Sequence, residues 1–138
     1  MRYVVTGGTG FIGSRLVARL LTLPDTTDVR VLVRRGSLGR FERLAQGWDD
    51  RVQPLVGDLT APDLGLTDAS VADLGAIDHV VHCAAIYDVT SPEALQRAAN
   101  VEGTSAVITL AGRLDATLHH VSSIAVAGTY RGVFTEDD

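Results

Sequence analysis

The stretch Thr6-Gly7-Gly8-Thr9-Gly10-Phe11-Ile12-Gly13 decides the fold of this chain. It begins at the last residue of a mostly apolar run at residues 3–6, typical of a buried parallel strand, and it leads into an amphipathic helical pattern at residues 11–23. Glycines in such a turn allow a positive φ, close approach of a pyrophosphate and tight packing of helix on strand. Free N–H groups at the helix start bind phosphate. The stretch therefore predicts a dinucleotide phosphate turn, and because no Lys-Ser/Thr follows the glycines it is not a P-loop.

The rest of the chain alternates short β-branched runs with helical patterns, which is typical of parallel strands joined by crossover helices. We therefore predict an α/β fold, a Rossmann-type doubly wound parallel sheet with helices on both faces. The predicted strands are residues 3–6, 29–33, 52–56, 77–83 and 117–122, and the predicted helices are residues 11–23, 38–46, 68–74 and 92–112. Residues 60–67 are predicted to be a loop, and residues 123–138 are not expected to complete a further element.

Composition indicates one globular domain spanning residues 1–138. Hydrophobic residues make up 46% and charged residues 21% of the chain, and the net charge is −5. This balance, with scattered basic residues, disfavours nucleic acid or an anionic membrane as a partner. No apolar run approaches the roughly twenty residues of a membrane span. The single Cys83 excludes an internal disulfide, so we predict a cytoplasmic protein.

The four histidines do not suggest a metal site. His119 and His120 are adjacent and therefore point to opposite faces of a strand, and His79 and His82, three residues apart, do the same. We predict that no metal is bound.

The glycine turn resembles the cofactor motif of the extended short-chain dehydrogenase/reductase superfamily, and further stretches agree with it in order. Within the superfamily, the stretches 31–35 and 82–88 are most similar to the reductases of fatty acyl and other thioesters, the male-sterility type. The agreeing stretches are Gly57-Asp58-Leu59, His82-Cys83-Ala84-Ala85, Asn100-Val101-Glu102-Gly103-Thr104, and Val121-Ser122-Ser123 followed by Val126-Ala127-Gly128.

The resemblance implies roles for particular residues. Asp58 would look toward the adenine, and Ser123 would be the catalytic hydroxyl that bonds the substrate carbonyl. In the family, hydride passes between the nicotinamide and the substrate, and the long helix often forms a dimer interface, so a homo-oligomer is expected. The other residues expected at the cofactor are Gly7, Thr9, Gly10, Phe11, Ile12, Leu59, Ala84, Ala85, Asn100 and Ser122.

One departure from the family concerns its Tyr-x-x-x-Lys pair. All twelve basic residues of this chain are arginines, so the pair is absent, and Tyr130 does not replace it because Phe134 stands where the lysine would be. We therefore expect the chain to be the N-terminal portion of a longer enzyme, truncated before the C-terminal substrate lobe. Alone, the segment is expected to be inactive.

The end of the second predicted strand indicates which cofactor is bound. An NAD site usually carries an acidic residue there, whereas this chain has Val33 followed by Arg34 and Arg35. Because a guanidinium pairs with phosphate, NADP is favoured over NAD, through Arg34 with help from Arg35 or Arg43.

Three functions remain open from the sequence. The first is an NADP-dependent reductase of a small-molecule carbonyl or thioester. The second is a nucleotide-sugar epimerase or dehydratase with retained NAD, which the arginines disfavour. The third is a non-catalytic dinucleotide sensor or scaffold, which the absence of Tyr-x-x-x-Lys would support.

Overall fold

The computed structural model describes residues 1–88 and 90–137; Val89 and Asp138, inside the predicted 1–138 domain, lie outside the described residues. Five parallel strands form one sheet in the order β3-β2-β1-β4-β5. The strands are β1 (Arg2–Thr6), β2 (Asp28–Val33), β3 (Val52–Val56), β4 (His79–His82) and β5 (Thr117–His120). The helices are α1 (Phe11–Leu21), α2 (Leu38–Ala45), α3 (Asp68–Ala72), α4 (Glu93–Arg97) and α5 (Gly103–Arg113).

Strand β1 lies in the middle of the sheet, and its side chains are therefore buried on both faces. Val4 belongs to a cluster with Val80 and Val107 that α3 and α5 cover, whereas Val5 belongs to a second cluster with Val31 and Val17 under α1 and α2. The predicted doubly wound sheet with helices on both faces is therefore confirmed. The strand order reverses between β1 and β4, and ligands of such sheets bind at the carboxyl ends of the strands at this switch point.

The long helix predicted over residues 92–112 is not continuous. A π-helical segment, Ala98–Glu102, separates α4 from α5. Such segments are rare and often lie at functional sites. The other differences are small: β4 is shorter than predicted, the predicted loop at residues 60–67 contains a 3-10 turn, Pro62–Gly65, and a second 3-10 turn, Ile124–Ala127, follows β5.

The burial of its side chains identifies the face of α5 that packs against the sheet. Gly103, Val107 and Leu110 are buried, whereas Ile108 on α5 and Val101 in the preceding π-helical segment are each 54% exposed. Small and apolar residues occur all around this helix, so periodicity alone does not identify the inner face. Among the described residues, no helix is both long enough and apolar enough to cross a membrane.

Candidate cofactor-binding site

The phosphate turn forms as the glycine spacing predicts. Gly7 has a φ of +71°, and its carbonyl oxygen accepts a hydrogen bond from the Gly10 N–H at 2.9 Å. Gly10 is the N-cap of α1 and has no side chain to bond the first helical N–H groups, and the first turn contains no acidic residue. The unpaired N–H groups and positive dipole end of this helix are therefore available to an anion.

Close packing explains why glycines occupy this turn. A Cβ on Gly7 would lie 2.7 Å from the Ala84 backbone nitrogen, and one on Gly13 would overlap the carbonyl oxygen of Gly7. The turn thus rests directly on the backbone that follows β4, and it has no room for larger residues.

A cleft of about 360 Å³ opens beside the turn, over the carboxyl ends of the strands. Eight of the predicted cofactor residues line it, which brings the phosphate turn together with the ends of β2, β3 and β4. They are Gly7, Thr9, Gly10, Arg34, Asp58, Leu59, Ala84 and Ala85. Cys83 also lines the cleft, as expected for the small residues that end β4, and the lining residues that the sequence reasoning missed include Ser37, Arg40, Thr60, Ile86 and Ala99.

Basic residues surround the β2 side of the cleft. Arg34 and Arg40 line the cleft itself, and Arg34 and Arg35 line an adjoining hollow of about 610 Å³. Within residues 1–88 and 90–137, none of these three arginines forms an ion pair. Arg43 lines neither hollow. Arg40 lies in the first turn of α2, three residues before Arg43, and no signal in the sequence separates the two as residues of the cleft.

Asp58 shapes the β3 side of the cleft. Its Oδ1 accepts hydrogen bonds from the Thr60 N–H at 2.9 Å and the Thr60 hydroxyl at 2.8 Å, and its own N–H donates to the Leu64 carbonyl at 2.7 Å. These bonds fix the turn after β3, so the position of the carboxylate is set before any ligand binds.

The remaining predicted site residues lie elsewhere. Phe11 and Ile12 are 73% and 58% exposed at the start of α1, with the Arg15 guanidinium 3.8 Å from the centre of the Phe11 ring. Ser122 is exposed, and Ser123 Oγ accepts a hydrogen bond from the Ala125 N–H at 3.1 Å. The structure therefore does not bring either serine to the cleft.

Asn100 is committed to the protein backbone. Its Oδ1 accepts from the Ile86 N–H at 2.8 Å, and its Nδ2 donates to the Ile86 carbonyl at 2.9 Å. Gly103 lets the same helix approach the loop after β3, since a Cβ there would lie 2.7 Å from the Leu59 carbonyl oxygen. The Asn-x-x-Gly-Thr motif thus holds the cleft wall in place.

His82, at the end of β4, is 1% exposed and hydrogen-bonded at both ring nitrogens. Burial, with a smaller contribution from nearby His120, lowers the pKa of His82 to about 4, so the ring is neutral near pH 7. Burial also raises the pKa of the neighbouring Cys83 thiol, which disfavours the nucleophilic thiolate.

The histidines form two pairs across β4 and β5, which the sequence reasoning missed because it considered each strand alone. His79 and His119 are joined by a 3.1 Å hydrogen bond, and the rings of His82 and His120 stack with centroids 5.1 Å apart. Across the described ranges, no three His, Cys, Asp or Glu side chains come together as a metal-ligand set.

Residues 5–137 match the male sterility protein family, and the chain belongs to this family of NAD-binding domains. It is 37% identical over 123 residues to the hybrid PKS-NRPS synthetase mycA of Thermothelomyces thermophilus, covering 88% of this chain and 3% of that protein. It is 38% identical over 141 residues to the aldehyde reductase lnaA of Aspergillus flavus, covering 92% of this chain and 13% of that protein.

Two solved structures also superpose on this chain. The terminal R domain of the myxalamid PKS-NRPS pathway superposes with a TM-score of 0.80 at 30% identity, covering 96% of this chain and 37% of that one. A reductase domain of a nonribosomal peptide synthetase from Mycobacterium tuberculosis superposes with a TM-score of 0.70 at 27% identity, covering 93% and 34%. The resemblance to thioester reductases of the extended superfamily is confirmed, and the chain spans a small part of these relatives.

Proposed function

We propose that this member of the male sterility protein family is the cofactor-binding part of an NADP-dependent reductase that acts on an acyl thioester or another carbonyl. One observation carries the proposal: the cleft joins a phosphate turn to Arg34 and Arg40, two guanidinium groups without an internal ion pair among the described residues. Unpaired guanidinium groups beside a phosphate turn suit a cofactor with an additional phosphate.

The residues present fit NADP. The glycine turn offers N–H groups to the pyrophosphate, and a side chain at Gly7 would push the turn away from the backbone of Cys83 and Ala84. Val33 occupies the place of the acidic residue that bonds the ribose of NAD, so no carboxylate repels a 2′-phosphate there. Arg34 and Arg40 would hold that phosphate, with Arg35 at the rim of the adjoining hollow.

When bound, the cofactor supplies the hydride. The chain's own contribution is to bind and orient it at the switch point, with the small side chains of Ala84 and Ala85 leaving space beside the turn. Ser123 would bond the substrate carbonyl, and a Tyr-x-x-x-Lys pair beyond residue 138 would supply the proton. Hydride addition at a thioester carbonyl carbon, followed by breakage of the carbon–sulfur bond, releases an aldehyde and a thiol.

The relatives support the substrate class. One is an aldehyde reductase and others are reductase domains of peptide and polyketide synthetases. The nucleotide-sugar epimerase alternative has no comparable support at the β2 end, because retained NAD does not require a cluster of arginines. The proposal includes a cytoplasmic location and self-association through the outer face of α5 and the π-helical segment before it, where Ile108 and Val101 are exposed. Light scattering tests the latter: a monomer would refute it.

The experiment is a comparison of NADPH and NADH binding by fluorescence titration. We expect NADPH to bind at least tenfold more tightly, and Arg34→Asp to remove or reverse that preference because it replaces the phosphate partner with a repelling carboxylate. Arg43→Asp is the matched control: it introduces the same charge change on α2 but lines neither hollow, so the preference should persist. Equal affinities of the unmodified chain for the two cofactors would overturn the NADP assignment.

A second measurement tests whether this chain binds the cofactor without carrying out the reaction. The 138-residue chain should bind NADPH but oxidise none in the presence of an acyl thioester, whereas a protein that includes a downstream Tyr-x-x-x-Lys should turn over. Turnover by the 138-residue chain would refute the proposal.

A further inference from the structure

We propose that His82 is a positioning residue of the cofactor cleft. Its imidazole ring joins Thr6, beneath the phosphate turn, to Thr104 on α5, and in this way it holds the cleft wall at residues 84–86 in place. The inference deepens the proposed function and rests on it where cofactor binding is concerned, but the hydrogen-bond arrangement is testable without any cofactor.

The hydrogen bonds around His82 permit one protonation pattern. The Thr104 hydroxyl donates its single proton to the Asn100 carbonyl at 2.9 Å, so His82 Nε2, 3.0 Å from Thr104 Oγ1, must carry a proton and donate it. In the neutral ring Nδ1 is then bare, and it accepts the Thr6 hydroxyl proton across 2.6 Å. The direction of every bond follows from the one that Thr104 makes to Asn100.

One end of this chain of hydrogen bonds lies at the phosphate turn. With its proton directed to His82, Thr6 Oγ1 accepts from the Ala84 N–H at 3.3 Å. Thr6 immediately precedes Gly7, whose backbone packs against Cys83 and Ala84. The orientation of the Thr6 hydroxyl therefore connects the turn to the first residues of the cleft wall.

The other end lies at the π-helical segment. Thr104 bonds the carbonyl of Asn100, and the Asn100 amide holds Ile86 through both its N–H and its carbonyl. The wall is therefore fixed at Ala84 by Thr6 and at Ile86 by Asn100, and His82 is the side chain that connects the two fixed points.

Because the members of this hydrogen-bond network are buried, the loss of one hydrogen bond in it is costly. Thr6 is fully buried and His82 nearly so, and neither has access to water that would replace a lost partner. A hydrogen-bonded chain of this kind is polarised along its length, so loss of one member weakens the others. A histidine that only filled space would not require a particular tautomer.

Nitrogen-15 NMR of the full chain labelled in its imidazole rings tests the bonding. We expect His82 to show the neutral Nε2–H tautomer near pH 7, with a bare Nδ1. An Nδ1–H tautomer, or a mixture of the two, would overturn the proposal whether or not the chain binds NADPH.

Variants test the consequence for the cleft. His82→Leu keeps an apolar body and removes both hydrogen bonds, and it should weaken NADPH binding at least tenfold. His82→Asn keeps an acceptor for Thr6 and should bind within about threefold of the unmodified chain. Thr6→Val should reproduce the loss, and the double variant with His82→Leu should be no worse than either single one.

His119→Gln is the control, because it changes a histidine of the other pair and should leave binding within twofold. Circular dichroism and thermal unfolding establish that each variant is folded, and hydrogen exchange at Ala84 and Ile86 reports on the wall directly, with faster exchange expected in His82→Leu. Unchanged NADPH affinity and unchanged exchange in folded His82→Leu would refute the positioning role. Failure of the unmodified chain to bind NADPH would instead refute the proposed function.

Discussion

Two segments follow strands of the same sheet and are held very differently. The phosphate turn after β1 lies against the backbone after β4, with Thr6 and Gly13 buried. Residues 121–137, after β5, are mostly exposed, and β5 pairs with β4 alone in the described chain. Backbone packing fixes the turn side of the cleft, whereas the hydrogen bond of the Ser123 hydroxyl in the described part of the chain is to its own turn. Packing within the described chain therefore holds the phosphate turn against the sheet and leaves most of the segment that contains Ser123 exposed.

The largest effect is expected at Gly13. Gly13→Ala would force a Cβ onto the Gly7 carbonyl and should destabilise the chain by about 3 kcal/mol and abolish NADPH binding. Gly112→Ala is the matched control: a Cβ added at this position of α5 would meet nothing within 4 Å beyond the backbone of its own helix, so the substitution should stabilise the chain by about 0.5–1 kcal/mol. Urea unfolding measures both, and a mild Gly13→Ala would show that the turn tolerates rearrangement.

The next effect is the dependence of the free energy of unfolding on pH that His82, beside the phosphate turn, should produce. Its pKa is about 4 when folded and near 6.5 when unfolded, so the unfolded chain binds more protons as the pH falls. Between about pH 7.5 and about pH 5 this residue should remove about 2 kcal/mol of stability. His82→Asn should flatten that dependence in urea titrations, whereas His119→Gln should not. Parallel profiles for unmodified chain and His82→Asn would contradict the buried neutral ring.

Hydrogen exchange of the unmodified chain measures the difference in local stability between the two segments. Amides of β1 and β4, which are paired on both sides in the sheet, should be protected to near the global unfolding limit. Amides of residues 121–137 should exchange at least a hundredfold faster in the 138-residue chain. Comparable protection of the two segments would mean that the segment after β5 is packed more firmly than its exposure indicates.

The smallest effect is expected at Ser123. Ser123→Ala removes one hydrogen bond to the Ala125 N–H in an exposed segment and should change stability by no more than about 0.5 kcal/mol, with NADPH affinity unchanged. Thr67→Ala, which removes the capping box of α3, is the reference and should cost about 1 kcal/mol. A tenfold loss of NADPH affinity in Ser123→Ala would place that hydroxyl at the cofactor and contradict the comparison.

Residues at the ends of strands were predictable, and residues placed by helices were less so. Arg34, Asp58 and Ala84 end or follow β2, β3 and β4, and parallel strands bring their carboxyl ends to one edge, so sequence order alone placed them together. Arg40 was missed and Arg43 was favoured, because a helix selects between residues three apart only once its rotation against the sheet is known.

By itself the sequence determined the class of fold and the phosphate turn, because glycine spacing and the alternation of apolar runs act over a few residues. Only the tertiary structure decided the protonation of His82, the place of Asn100 and the pairing of the four histidines. Thr6 and His82 are 76 positions apart, and Ile86 and Asn100 are 14 apart. Contacts across such distances depend on strand register and on the π-helical segment, which no local pattern encodes.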